Sequence, residues 1–175
     1  MEEHNQYCIP NKALLLGARS AYEVINMELF NDELPRIPIK AQRLDNGLRY
    51  RTAAAFCIDI KHSVERLSII INSEEVCFAD FTAFLINTIG YLLHEMVHEY
   101  CYLHGITDVN HATQYHNSQF MLAAEEHGLV CDSYSDEFGF HETLIKSDSA
   151  GDIVCKMPDE VLIKMMESIT TSPSK

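Results

Sequence analysis

The chain has 175 residues, 47% hydrophobic and 22% charged, which fits one globular domain with a real core and excludes a disordered or fibrous chain. Thirteen Lys and Arg against twenty-six Asp and Glu leave a formal net charge of −13. That sign is wrong for gripping a phosphate backbone or an anionic membrane surface.

The N-terminal MEEHNQYCIPNK lacks the basic-then-apolar order of an export signal. The longest apolar run, Phe81 to Leu93, is too short and too polar to span a bilayer. Six cysteines (Cys8, Cys57, Cys77, Cys101, Cys131, Cys155) are scattered without a C-x-x-C pair. They read as reduced, mostly buried thiols of a cytoplasmic protein, and a cysteine-built zinc ribbon is excluded.

Residues 1–12 read as an N-terminal tail. Over 13–31, Leu14, Ala18, Ala21, Tyr22, Ile25 and Leu29 recur at helical spacing, so an amphipathic helix is predicted, stopped ahead of Pro35 and Pro38. Short β-like runs follow at Ile37–Ala41, Ala53–Ile60 and Leu67–Ile71, with Asp45-Asn46-Gly47 as turn chemistry between the first two. They predict a small mixed sheet of three or four strands.

From about Ala79 to His104 the apolar residues cover nearly every direction of a helix, the pattern of a buried one, and Gly105 supplies its stop. A polar loop, 106–113, leads to a second helix over Gln114–His127, closed by Gly128. Residues 129–157 read as short strands and loops. Residues 158–175 read as a terminal helix over Pro158–Ile169 and a frayed TTSPSK. The fold class is α+β.

The buried helix carries His94-Glu95-Met96-Val97-His98, an H-E-x-x-H motif. Positions i and i+4 lie about 40° apart and one turn along a helix, so both imidazoles reach one cation. Glu95 points to a neighbouring direction, where it can hold the metal's water and take its proton. Shuffling this composition yields about 0.04 such motifs. Context adds weight, because an unpartnered carboxylate on a buried apolar helix costs several kcal/mol.

A catalytic zinc site uses three protein ligands and a water. His104 has the third-histidine spacing of the metzincin proteases and of a family of bacterial metal-dependent endoribonucleases. Both break the helix with Gly three residues after the second His, where this chain has Cys101. On an unbroken helix His104 lies about 15 Å along the axis from His94, which makes it a helix-capping cation. His116 is the better candidate, at the start of the second helix on the apolar face of Phe120 and Ala123. His111, in the loop, is a substitute ligand, and Glu125 and Glu126 are a gluzincin-style alternative whose position faces water. His127 lies about 16 Å further along. His4, His62 and His141 read as ordinary surface or packing residues. An oxyanion needs a stabilising group, for which Tyr100, Tyr115 and His127 stand equal.

These segments resemble the SprT-like family of zinc metallopeptidases, which includes the Spartan-type DNA–protein crosslink proteases. Ala21-Tyr22 with Leu29-Phe30-Asn31-Asp32-Glu33-Leu34-Pro35 looks like the family's first helix and its exit. Ile69-Ile70-Ile71-Asn72 looks like the strand before the active-site helix, and Leu92-Leu93-His94-Glu95-Met96-Val97-His98 like its centre. Tyr115-His116-Asn117-Ser118-Gln119-Phe120, then Glu125-Glu126-His127-Gly128-Leu129, looks like its second helix. The chain has no Trp and no C-terminal zinc ribbon.

The resemblance implies a zincin-like minimal metallopeptidase domain over 13–157 and one zinc ion on His94, His98 and His116. Glu95 is the catalytic base, and a peptide or protein substrate pairs with the sheet edge. Two alternatives accompany it. One is a module that binds DNA or nucleoprotein through residues 40–66, where Lys40, Arg43, Arg49, Arg51, Lys61 and Arg66 face Asp45, Asp59 and Glu65, a local excess of +3. The other is a non-catalytic, metal-stabilised interaction domain.

Overall fold

The computed structural model describes residues 6–44, 53–73, 77–78, 80–110, 115–135 and 139–172. Among them are five helices and eight strands. The centre is helix α2 (Phe81–Leu103), whose N-cap Asp80 accepts from the Thr82 amide at 2.8 Å. Ile89, Leu92, Leu93, Met96, Val97 and Cys101 on it are fully or almost fully buried. Only isolated apolar positions such as Tyr91 and Leu103 reach solvent. The helix stops at His104, and Gly105 takes the left-handed φ of 66° that such a stop requires. No helix among the described residues is long and apolar enough to cross a membrane.

Helix α1 (Asn11–Leu29) packs against α2 with Leu14, Ala18, Ala21, Tyr22 and Ile25 buried, the face anticipated from spacing. Its exit is not a simple proline stop. Asn31 and Asp32 both adopt left-handed backbone, with φ of 53° and 59°. The buried Asn26 side chain holds that turn. Its Oδ1 accepts from the Leu34 amide at 3.1 Å, and its Nδ2 donates to Leu34 O at 2.9 Å and to Asp32 Oδ1 at 3.2 Å. Asn and Asp are the residues that tolerate this conformation best after Gly.

The central sheet has the order β2 (Ile39–Gln42), β4 (Val64–Asn72), β3 (Ala54–Lys61). β2 runs parallel to β4 and β3 antiparallel to it, so the predicted mixed sheet has three strands. β4 begins earlier than expected because His62 and Ser63, with φ of 53° and 62°, close a tight hairpin with β3. Ile39, Ile69 and Ile71 project to one face and join the core with α1 and α2.

Three parts differ from expectation. Helix α3 spans Ser118–Glu126, shorter than the predicted 114–127, because Asn117 caps it by accepting from the Gln119 and Phe120 amides. The segment read as strands and loops holds a hairpin, β6 (Leu129–Ser135) with β7 (Gly139–Ile145), and then helix α4 (Ser147–Lys156). Ser147-Asp148-Ser149 and Gly151 are weak helix formers and hide the buried stripe of Ala150, Ile153 and Met157. The third difference is at the ends. Gln6–Cys8 (β1), in the segment read as a tail, lies between β5 (Cys77–Phe78) and β8 (Thr170–Ser172), antiparallel to both. Residues 170–172 of the TTSPSK end are therefore paired rather than frayed, and 173–175 lie outside the described residues.

Helix α5 (Asp159–Glu167) lies on α1. Met165 is core while Met166 is exposed. A Cβ at Gly17 would overlap the Met165 sulfur, so glycine there permits the close approach. The thiols are less buried than expected: Cys101 is buried, Cys8, Cys57 and Cys131 are half-buried, and Cys155 is exposed. Burial pushes the Cys101 thiol up to about 12, with Asp108 adding to the shift.

Replacing Asn26 by Ala strips three hydrogen bonds and leaves the buried Leu34 amide and carbonyl without that partner. The expected loss is about 2–3 kcal/mol of unfolding free energy by urea denaturation. An unshifted midpoint would show that the turn does not depend on this clamp.

Candidate metal centre

His94 and His98 leave α2 on one side, one turn apart, as i and i+4 positions must. His116 reaches them from the segment ahead of α3. It sits just before the N-cap rather than in the helix as expected, held by an antiparallel bridge between Val109 and His116. The Asn117 amide donates to Asp108 O at 3.0 Å and its side-chain Nδ2 donates to Thr107 O at 2.7 Å. A single asparagine thus caps α3 and fixes the loop that delivers the third imidazole.

The three rings converge through their Nε2 atoms. His98 Nε2 lies 3.2 Å from His94 Nε2 and 3.1 Å from His116 Nε2. All three donor atoms are within 4.8 Å of one another, close enough to hold one metal ion. Two nitrogens bound at about 2.0–2.1 Å to a tetrahedral ion stand about 3.3 Å apart, so the observed spacing fits the group.

Proton positions agree. His98 Nδ1 lies 2.6 Å from Asp108 Oδ2, and since a carboxylate only accepts, His98 donates from Nδ1. A ring with its proton on Nδ1 presents Nε2 toward the other histidines. Burial alone would raise the Asp108 carboxyl, but the His98 hydrogen bond and the charge of His98 and His116 hold it below its ordinary value. His94 Nδ1 pairs with Thr143 Oγ1 of β7 at 2.8 Å, again leaving Nε2 inward. Burial, then the neighbouring His98 and His116, hold His94 well below the usual imidazole range, which keeps it neutral and fit to ligate.

Phe120 is the apolar floor. His116 stacks on its ring at 4.0 Å, with His94 and His98 at 5.0 and 4.7 Å. Glu95, 7% exposed, points to β3, where its Oε2 accepts from the Phe56 amide at 2.6 Å. Burial pushes the Glu95 carboxyl up, against the opposing pull of His98 and of that amide. Glu99, also buried, lies on the α1 side, 3.1–3.2 Å from the Tyr22 hydroxyl, which also reaches Pro35 O at 2.7 Å. Burial pushes the Glu99 carboxyl up to about 7, with the Tyr22 hydroxyl pulling the other way.

The remaining candidates separate cleanly. His104 is the C-cap of α2, its Nδ1 bonded to Tyr100 O at 2.9 Å, and it takes no part in the cluster. His127 is a core residue, stacked on Phe30 at 4.2 Å with Nδ1 bonded to Ala123 O. Tyr100 packs with His104 and His127 on the side of α2 away from His94 and His98. Neither Tyr100 nor His127 therefore borders the cluster, and Tyr115, exposed and next to His116, is the remaining oxyanion candidate of the three. Glu125 and Glu126 face solvent. His4 and His111 lie outside the described residues. Of the basic residues in 40–66, Lys40, Arg43, Lys61 and Arg66 are exposed, while Arg49 and Arg51 lie outside the described residues.

Sequence reasoning missed Asp108, Thr143 and the Phe56 amide. Asp108 was findable, because a ligating imidazole needs an acceptor for its other nitrogen and Asp108 is the one acid between His104 and His116. Thr143, 49 residues from His94, leaves no such signal. Compared with protein-family models, curated proteins and solved structures, the chain matches none.

Substituting His116 by Ala should abolish stoichiometric metal uptake, while His104→Ala retains it, as read by elemental analysis after dialysis. Metal held by His116→Ala would assign the third ligand elsewhere. Asp108→Asn should weaken metal affinity about 10- to 100-fold in a chelator competition.

Proposed function

We propose that this chain is a zinc-dependent metallopeptidase with a zincin-like domain of the SprT-like kind. The observation that carries the proposal is the meeting of three inward-facing Nε2 atoms, 3.1–3.2 Å from neighbour to neighbour, with the Glu95 carboxylate from the same helical turn. An all-imidazole donor set suits zinc and leaves a fourth position open. His94, His98 and His116 would hold the ion through Nε2. A bound zinc supplies Lewis acidity toward a scissile carbonyl and acidifies water.

The chain's own groups do the rest. Glu95 takes a proton from the attacking water and returns it to the leaving amine nitrogen, and burial, by raising its carboxyl, makes it a stronger base than an exposed glutamate. Asp108 keeps His98 in the tautomer that ligates, and Thr143 holds the orientation of the His94 ring. Phe120 excludes water from beneath the imidazoles. The substrate is an extended peptide or protein segment that adds to the outer edge of β3, next to which Glu95 lies. The free thiols Cys57, Cys101, Cys131 and Cys155 accord with a reducing, cytoplasmic setting.

The zinc-loaded protein is expected to cleave a mixed pool of unstructured peptides, detected as new termini by mass spectrometry. Glu95→Gln should retain one metal per chain and lose at least about 100-fold of that cleavage. Cleavage undiminished in Glu95→Gln would overturn the role of Glu95, and a zinc-loaded wild type without cleavage would overturn the peptidase reading.

A further inference from the structure

β3 is the outer strand of its sheet, and among the described residues no strand pairs with its far side. The Asn72 amide donates to Ala53 O at 2.8 Å, so residues 53 and 72 form a hydrogen-bonded pair. With Ala54 opposite Ile71, the odd-numbered residues 55, 57, 59 and 61 bond to β4. The backbone groups of Ala54, Phe56, Ile58 and Ile60 therefore point outward, along the edge that an added strand would use. One of these amides, Phe56 N–H, is occupied by Glu95 Oε2 at 2.6 Å. The base of the proposed reaction thus sits on a backbone donor that an incoming peptide needs. Further along the same edge, Ile58 and Ile60 are 43% and 66% exposed, which leaves apolar surface for the peptide's side chains.

We infer that the Phe56 amide is a latch for Glu95, and that an extended peptide pairing with β3 takes this N–H for one of its own carbonyls and releases the carboxylate toward the metal centre. Two acceptors compete for one donor, so the base is freed only when a backbone strand is seated beside it. Phe56 acts as a positioning residue through its main chain. This inference rests on the strand-addition reading of the substrate given above.

Two inactive variants separate the latch from catalysis. Glu95→Gln keeps a side-chain oxygen that can accept from Phe56, whereas Glu95→Ala has none. In the zinc-loaded proteins, amide hydrogen exchange at Phe56, read by NMR, should be markedly slower in Glu95→Gln than in Glu95→Ala. A blocked hexapeptide of alternating Val and Thr should bind Glu95→Ala about three- to tenfold more tightly, since it no longer competes for the donor. Equal exchange in the two variants overturns the latch and leaves the peptidase reading intact. Unequal exchange with equal peptide affinity overturns the release step alone. Unequal exchange with no peptide binding to either variant overturns both release and strand addition.

Discussion

A helix that is apolar in nearly every direction has to bury the polar side chains of one of its turns, and the surrounding structure is arranged to satisfy them. Five elements packed around α2 each supply one partner. The Phe56 amide of β3 meets Glu95, and Tyr22 of α1 meets Glu99. Asp108 of the following loop meets His98, Thr143 of β7 meets His94, and His116 arrives ahead of α3. No buried side-chain nitrogen or oxygen among the described residues lacks a partner. Burying such groups unpaired would cost several kcal/mol each, so the placement of these elements and the satisfaction of this turn are one constraint.

That arrangement also accounts for what the chain does not use. His104 and His127 occupy helix ends and packing positions, where a ring nitrogen returns to a carbonyl one turn earlier. Their chemistry matches that of the three convergent histidines, but their direction around the helix axis does not. Direction is set by helical periodicity, which is why the spacing of His94 and His98 marks a shared site and why His104, on an unbroken helix, reads as a cap rather than a ligand.

Much of this was legible in the chain. The two long helices, a small sheet of three or four strands, His94, Glu95 and His98 on one buried turn, and His116 as partner follow from periodicity, stop signals, ligand spacing and the apolar face of the second helix. Which strand runs parallel to β4 and which antiparallel comes from the structure. What escaped had physical reasons. Helix α4 is written in Ser, Asp and Gly, so its buried stripe is diluted by poor helix formers. The pairing of β1 with β8 joins segments more than 160 residues apart, and three-residue strands carry too little pattern to reveal a partner. Asn26 reads as one more polar helical residue, and only the left-handed Asn31-Asp32 turn shows why it must be there. Thr143 and the Phe56 amide belong to tertiary contact, which spacing in a single chain does not encode.

X-ray absorption spectroscopy of the zinc-loaded protein tests the central claim most directly. Four nitrogen or oxygen donors at about 2.0–2.1 Å, with the multiple-scattering signature of three imidazoles, are expected. A sulfur shell at about 2.3 Å, or fewer than three imidazoles on the ion, would contradict the account.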